Sequence, residues 1–329
     1  FVAGIIAAKT NNGIGIAGIN PGAVIMPIKV ANDDGETDNF SIFRGINYAV
    51  DHGAKVINVS LGGRTISKLE QAAIDRAHAK GALVVVAAGN SNENMMVFGP
   101  SSSKNVLAVG EINFDGTRST ASNWGPNLGL VAPGEEIYSL CSKDNKHVLP
   151  SIRAFGYYTL NGTSFSTPMV AASASLIWAK NPDWTNQQVA DTIVATATDM
   201  GDEGWDAMYG AGLLNAAKAL RSSPDRALIA MFTNMRFNRD VRDKVVSVDL
   251  YGTVRGPFKE YSIELGKGKL ARSFATVAGP FTEARDYQFI TRLIIQDVMR
   301  GSDAWIVRIR TVDNEGKEHF STMPVELPK

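Results

Sequence analysis

Short runs that are apolar on both faces, set apart by segments with helical periodicity, constrain this chain more than anything else in it. Ile25 to Val30, Val56 to Leu61 and Ala82 to Ala88 read as strands. Between the last two, the pair Ser67 and Glu70 opens a helix that Gly81 stops. Further upstream, Ile42, Phe43, Ile46, Ala49 and Val50 recur at helical spacing, with Gly53 as the stop. A strand with no polar face must be covered on both sides, and strands alternating with helices join through right-handed crossovers. The expectation is α/β, a doubly wound parallel sheet.

Near Ser222-Ser223-Pro224 the texture changes. From Pro224 onward there are 17 basic and 14 acidic residues, so the last third of the chain holds 31 of its 66 charges. Period-two alternation replaces helical spacing there. Val246, Val248 and Leu250 share one face, as do Tyr261, Ile263 and Leu265, and Trp305, Val307 and Ile309. Asp313-Asn314-Glu315-Gly316 marks a turn between two such runs. The pattern predicts a domain at residues 1–222 and a separate all-β sandwich of immunoglobulin or fibronectin type at residues 225–329.

Several classes of function are disfavoured. The 33 basic and 33 acidic residues balance, so no long-range field draws the chain to nucleic acid or an anionic membrane. No apolar run reaches the roughly 20 residues that span a bilayer. The single cysteine, Cys141, cannot build an internal disulfide framework.

The chemistry concentrates in Asn161-Gly162-Thr163-Ser164-Phe165-Ser166-Thr167-Pro168, ahead of an Ala/Ser-rich helical stretch ending near Lys180. A serine at a helix N-terminus, introduced by glycine, suits a nucleophile, because the dipole and free N–H groups stabilise negative charge. The tripeptide alone reads equally as an ordinary N-cap. Asn90 after Gly89 reads alone as a turn residue, and Ser60-Leu61-Gly62 as a strand end.

The segment from Gly162 to Ala171 resembles the nucleophile motif of the subtilisin-like serine proteases (subtilases), with Ala172 where that family usually has glycine. The resemblance runs in order over nearly all of residues 1–222. It takes in Val2-Ala3-Gly4, Ser60-Leu61-Gly62-Gly63, Ala87-Ala88-Gly89-Asn90, Val131-Ala132-Pro133-Gly134, Asn181-Pro182-Asp183-Trp184-Thr185 and Tyr209-Gly210-Ala211-Gly212-Leu213. It implies a serine endopeptidase with Ser164 as nucleophile and Asn90 as oxyanion donor. Ser60, Leu61, Gly62 and Gly89 would bind extended substrate, with Gly35 and Glu36 on the opposite rail. The partner would be a peptide or protein substrate, and secretion is implied with the family.

The same resemblance puts the general base in a His-Gly-Thr just before the position of Phe1, and the orienting aspartate further upstream. Neither lies in this sequence. His52, His78, His147 and His319 read as surface or structural residues, and Asp51-His52 is no dyad, since helix neighbours point different ways. The expected partner is therefore a segment carrying His and Asp. The alternative is a non-catalytic, protease-derived binding or regulatory protein. No cofactor is needed for the chemistry. Lys9 to Ile16 resembles the family's calcium loop, with oxygens of Asn12, Ile14 and Ile16 as ligands, and read alone is an Asn-Gly turn. A second cation site is not expected, because Asn127-Leu128-Gly129 lacks the acidic residues it would need.

Overall fold

The computed structural model describes residues 1–64, 67–142, 156–299 and 301–327. Its first part is built on four parallel strands, β1 (Val56–Val59), β2 (Leu83–Ala87), β3 (Val106–Ile112) and β4 (Leu128–Pro133), in that spatial order. The strands carry apolar residues on both faces, and two helical layers cover them. Val84 and Val86 of β2 face Ile42, Ile46 and Ala49 of α2 (Asn39–Asp51) and Ile74 of α3 (Lys68–Ala79). Leu83 and Val85 face the other layer, with Val170, Ala174 and Ile177 of α4 (Thr163–Lys180) and Val189 of α5 (Asn186–Ala195). That is the doubly wound arrangement the sequence implied. A short α1 (Val2–Ala7) packs beside α4.

Local chemistry sets the helix limits. The Ser67 hydroxyl accepts from the amides of Leu69 and Glu70, which caps α3, but Glu70 is buried and makes no reciprocal capping bond among the described residues. Asp38 caps α2 through a 2.7 Å bond from the Ser41 amide. Thr185 and Gln188 form a complete capping box on α5.

One expected element is absent. Ile25 to Val30 belongs to no strand, and no backbone hydrogen bond joins Ile25 through Lys29 to another described residue. Val24, Ile25 and Met26 are exposed. A strand exists only where a neighbour completes its hydrogen bonds, and among the described residues none lies beside this segment.

After a hairpin of β5 (Ile137–Leu140) and β6 (Tyr157–Leu160), the two-residue β7 (Trp205–Asp206) and the short α6 (Ala216–Ala219), the chain becomes antiparallel. One sheet has the order β12 (Arg285–Ile294), β9 (Val245–Arg255), β8 (Ile229–Arg239). The other runs β11 (Ala275–Phe281), β10 (Phe258–Lys267), β13 (Ala304–Asp313), β14 (Glu318–Glu326), and then β7 in parallel. Both sheets enclose one core holding Phe232, Leu250, Ile263, Val307 and Val325. Tyr261, Ile263, Leu265, Trp305, Val307 and Ile309 all point inward, while Arg308 and Arg310 pair outward with Glu264 and Glu318.

The two parts share material. Trp205 and Ala207 belong to the antiparallel core, and the Trp205 Nε1 donates to Leu128 O on β4 at 2.7 Å. Asn127 N donates to Phe232 O at 2.9 Å. Arg255 of β9 forks onto Asp191 of α5, with Nε and Nη2 at 2.9 and 2.6 Å, and its Nη1 meets Asp286.

Candidate active site

Gly162 precedes α4 at φ +137°, in the region that favours glycine, and a Cβ there would come within 3.1 Å of the Asn90 Nδ2. Without a side chain Gly162 cannot cap the helix, and Asn90 does so instead. Its Oδ1 accepts from Thr163 N at 3.0 Å and from Thr163 Oγ1 at 2.8 Å. With the oxygen so engaged, the amide Nδ2 is the group left to donate from this exposed side chain. Ser164, next along α4, adds its own backbone N–H, one of the first-turn donors that the helix leaves unpaired.

Pro168 shapes the other side of Ser164. It lies four residues on and has no N–H, so the helix makes no bond to Ser164 O. Ser60 Oγ donates to that carbonyl at 2.8 Å, and Ser164 Oγ donates to Ser60 O at 3.2 Å. The C-terminal end of β1 and the turn bearing Ser164 are thus tied reciprocally, although 104 residues separate them. Asn58 Nδ2 supports Ser60 Oγ at 2.9 Å. Leu61 and Gly62 continue past β1, and Gly63 then bridges Gly99 through paired bonds of 2.9 and 2.8 Å.

The loop bearing Asn90 is held from behind. Asn123, fully buried, accepts from Ser91 N and Glu93 N at 3.0 Å each and donates to Ala88 O at 3.0 Å. Gly89 has φ +106°, and a Cβ there would lie 2.4 Å from the Asn123 amide nitrogen, so only glycine fits. Beneath the turn, Gly162 N is shared between Gly134 O at 3.0 Å and the carboxyl Oε1 of Glu111 at 3.1 Å. Burial pushes the Glu111 carboxyl above the usual range.

The structure therefore brings together Ser164, Asn90, Gly89 and Ser60. Gly35 and Glu36 sit in a separate exposed loop tied to itself: Asn32 Oδ1 accepts from Asp34 N and Glu36 N at 3.0 and 2.9 Å. Residues Lys9 to Ala17 curve around an open cavity of about 250 Å³, where Asn12 Oδ1 accepts from Ile14 N at 3.2 Å. That loop offers neutral oxygens and contains no carboxylate. His52 bonds Tyr48 O, His78 meets Asn186 and His319 pairs with Asp313, while His147 lies outside the described residues. The roles of Thr163, Glu111 and Asn123 had no signal in the sequence read alone. That of Pro168 did, since a proline four residues after Ser164 leaves a carbonyl free.

A hydroxyl at a helix N-terminus beside an outward carboxamide is an arrangement suited to acyl transfer. Residues 1–212 match the sequence profile of the Subtilase family, and the chain belongs to that family of serine endopeptidases. It is 37% identical over 220 residues to Subtilisin BL of Lederbergia lenta, covering 67% of this chain and 76% of that protein. Against Subtilisin E of Bacillus subtilis strain 168 it is 39% identical over 221 residues, which is 66% of this chain and 54% of that protein. A solved protease structure from Pseudoalteromonas arctica superposes with a TM-score of 0.60 at 31% identity, over 67% of this chain and 69% of the other.

Proposed function

We propose that Ser164 is the nucleophile of a peptide-bond hydrolase whose oxyanion is held by Asn90 Nδ2 and the Ser164 backbone N–H, and whose base is supplied from outside this sequence. The observation that carries the reading is the double bond from Thr163 to Asn90 Oδ1, which fixes the carboxamide with its donor outward. Ser164 Oγ attacks the scissile carbonyl and the oxygen takes negative charge against those two donors. A histidine from a partner segment receives the hydroxyl proton and passes it to the leaving amine, and an aspartate there orients it. Among the described residues Ser164 Oγ donates to the Ser60 carbonyl, which holds the hydroxyl at the head of α4.

Ser60, Leu61, Gly62 and Gly89 form the substrate rail in this reading, with Gly35 and Glu36 opposite. Secretion belongs to it by family resemblance, and no described helix is long and apolar enough to cross a membrane. Residues 225–329 form an accessory β-sandwich of immunoglobulin or fibronectin type. A structural calcium on Asn12, Ile14 and Ile16 fits the neutral donors of their loop only if acidic ligands join from elsewhere. Its role would be to rigidify that loop.

Labelling tests the assignment. With the His- and Asp-bearing segment supplied, a fluorophosphonate probe should modify Ser164, identified by peptide mass spectrometry, and Ser164→Ala should abolish the adduct. An unlabelled but folded complex would favour the non-catalytic binding protein.

A further inference from the structure

Glu111 lies near the end of β3, under the turn that carries Ser164, and nothing in the proposed chemistry uses it. The residue is 2% exposed. Its Oε1 accepts from Gly162 N at 3.1 Å, while Oε2 is buried with no hydrogen-bond partner among the described residues. A buried carboxyl with one oxygen unmet is costly to keep charged. Close packing holds it in place. A Cβ on Gly134 would come within 2.4 Å of the Glu111 Cγ, and Glu111 N donates to Ser122 Oγ at 3.0 Å.

The Gly162 amide thus has two acceptors, and only one of them can change its charge. Gly134 O, at 3.0 Å, is a neutral carbonyl at every pH, whereas an ionised Glu111 is the stronger acceptor. Gly162 is able to respond, since it has no Cβ and sits at φ +137°. Asn90 would register the response twice. Its Nδ2 lies 3.1 Å from the point that a Gly162 Cβ would occupy, and its Oδ1 takes both bonds from Thr163, the next residue.

Burial opposes ionisation of Glu111 most strongly, and the carboxylate of Glu135, in the loop after β4, adds to that. The Gly162 amide favours the charged form, as does the Ser119 hydroxyl, which stands near without meeting hydrogen-bond geometry. Arg118, in the loop after β3, spends its guanidinium on Ser119 O, Ser122 O and Asn92 Oδ1. The first turn of α4 carries no acidic or basic side chain. The balance holds the carboxyl above the ordinary 4.5.

We propose that Glu111 is a positioning residue for Asn90, and that its charge sets which acceptor the Gly162 amide prefers. Ionised, it draws that amide from Gly134 O and fixes the turn with the Asn90 carboxamide outward. Protonated, it yields the amide to Gly134 O, and the carboxamide loses that alignment. The catalytic meaning rests on the oxyanion role proposed for Asn90, but the linkage from Glu111 to Asn90 does not.

NMR of the full chain with isotope-labelled Gly, Thr, Asn and Glu, from about pH 4 to pH 8, tests the linkage. The Gly162 and Thr163 amides and the Asn90 side-chain amide should shift together. Their shared midpoint should lie above 4.5 and coincide with that of the Glu111 carboxyl carbon. In Glu111→Gln, which keeps an oxygen acceptor and cannot ionise, all three shifts should be lost. An Asn90 signal that stays flat while Glu111 titrates overturns the proposal, and that result requires no variant to fold. So does a transition that survives Glu111→Gln, because its source would be another carboxyl. Fluorophosphonate labelling reads Ser164 separately: no adduct, with the three shifts intact, would end the nucleophile reading and leave the Glu111–Asn90 linkage standing.

Discussion

Thr163 donates twice to Asn90 Oδ1, from its amide at 3.0 Å and its hydroxyl at 2.8 Å, so one residue both begins helix α4 and aims the carboxamide beside it. If Asn90 holds the oxyanion as proposed, Asn90→Ala should lower turnover on the order of 10²–10³-fold with little change in KM, the magnitude established for the oxyanion asparagine of subtilisin itself. Thr163→Val keeps the shape and the amide bond but loses the hydroxyl. A net hydrogen bond of about 1 kcal/mol predicts a drop in kcat of roughly fivefold. Steady-state kinetics on both variants checks the pair. A raised KM with normal kcat would move Asn90 from the oxyanion to substrate binding.

The bidentate grip of Arg255 on Asp191 leaves the two side chains 22% and 15% exposed, so removing one partner strands the other in a poorly hydrated seam. Arg255→Met should cost about 3 kcal/mol in urea unfolding. It should also speed proteolytic cleavage around Ser222 to Arg226. A double-mutant cycle with Asp191→Asn isolates the pair, and a coupling energy near zero would show that the seam is held by its apolar contacts.

How much of this could be read from residue order depended on the range of the interaction. α2 and α3 were legible because helical spacing and caps such as Ser67 are local. The alternating faces of β10 and β13 were legible for the same reason. Ile25–Val30 misled because apolar composition states that a strand is favoured and cannot state whether a neighbour is present. Ser164 and Asn90 were recognisable by motif, but Thr163, Glu111 and Asn123 act through contacts across 51 residues or more or from the buried side of a loop. β7 escaped notice because two residues carry no period, and only its partner β14 defines it.

Trp205 tests how far the antiparallel part of the chain stands alone. Its ring is buried against Phe232 at 6.2 Å between centroids, so a residue outside 225–329 fills part of that core. Trp205→Ala in the whole chain should cost about 3–5 kcal/mol. Residues 225–329 expressed alone should still give dispersed amide signals, since about 100 residues can bury a core, but should melt well below the domain in the intact chain. A disordered spectrum would end the two-domain division.

Asp206 gives the seam a pH dependence of known sign. Its Oδ1 accepts from Met208 N at 2.6 Å and Tyr209 N at 2.9 Å, while Oδ2 is buried with no hydrogen-bond partner among the described residues. Burial is the main cause that raises its pKa from 3.8 to about 6, with the two amide bonds opposing it and nearby Asp202 adding to it. The native state thus holds this proton more tightly than the unfolded chain does. Its contribution to stability is greatest below about pH 4 and is lost as pH rises through about 6, a total on the order of 3 kcal/mol. Asn at this position keeps the Oδ1 acceptor and cannot ionise. Stability of Asp206→Asn minus that of the wild type should therefore grow by about 2.5 kcal/mol between pH 4 and pH 8. Urea titrations at a series of pH values measure that difference directly. A difference independent of pH would mean that water reaches Oδ2 and that Asp206 ionises in the native state as it does in the unfolded chain.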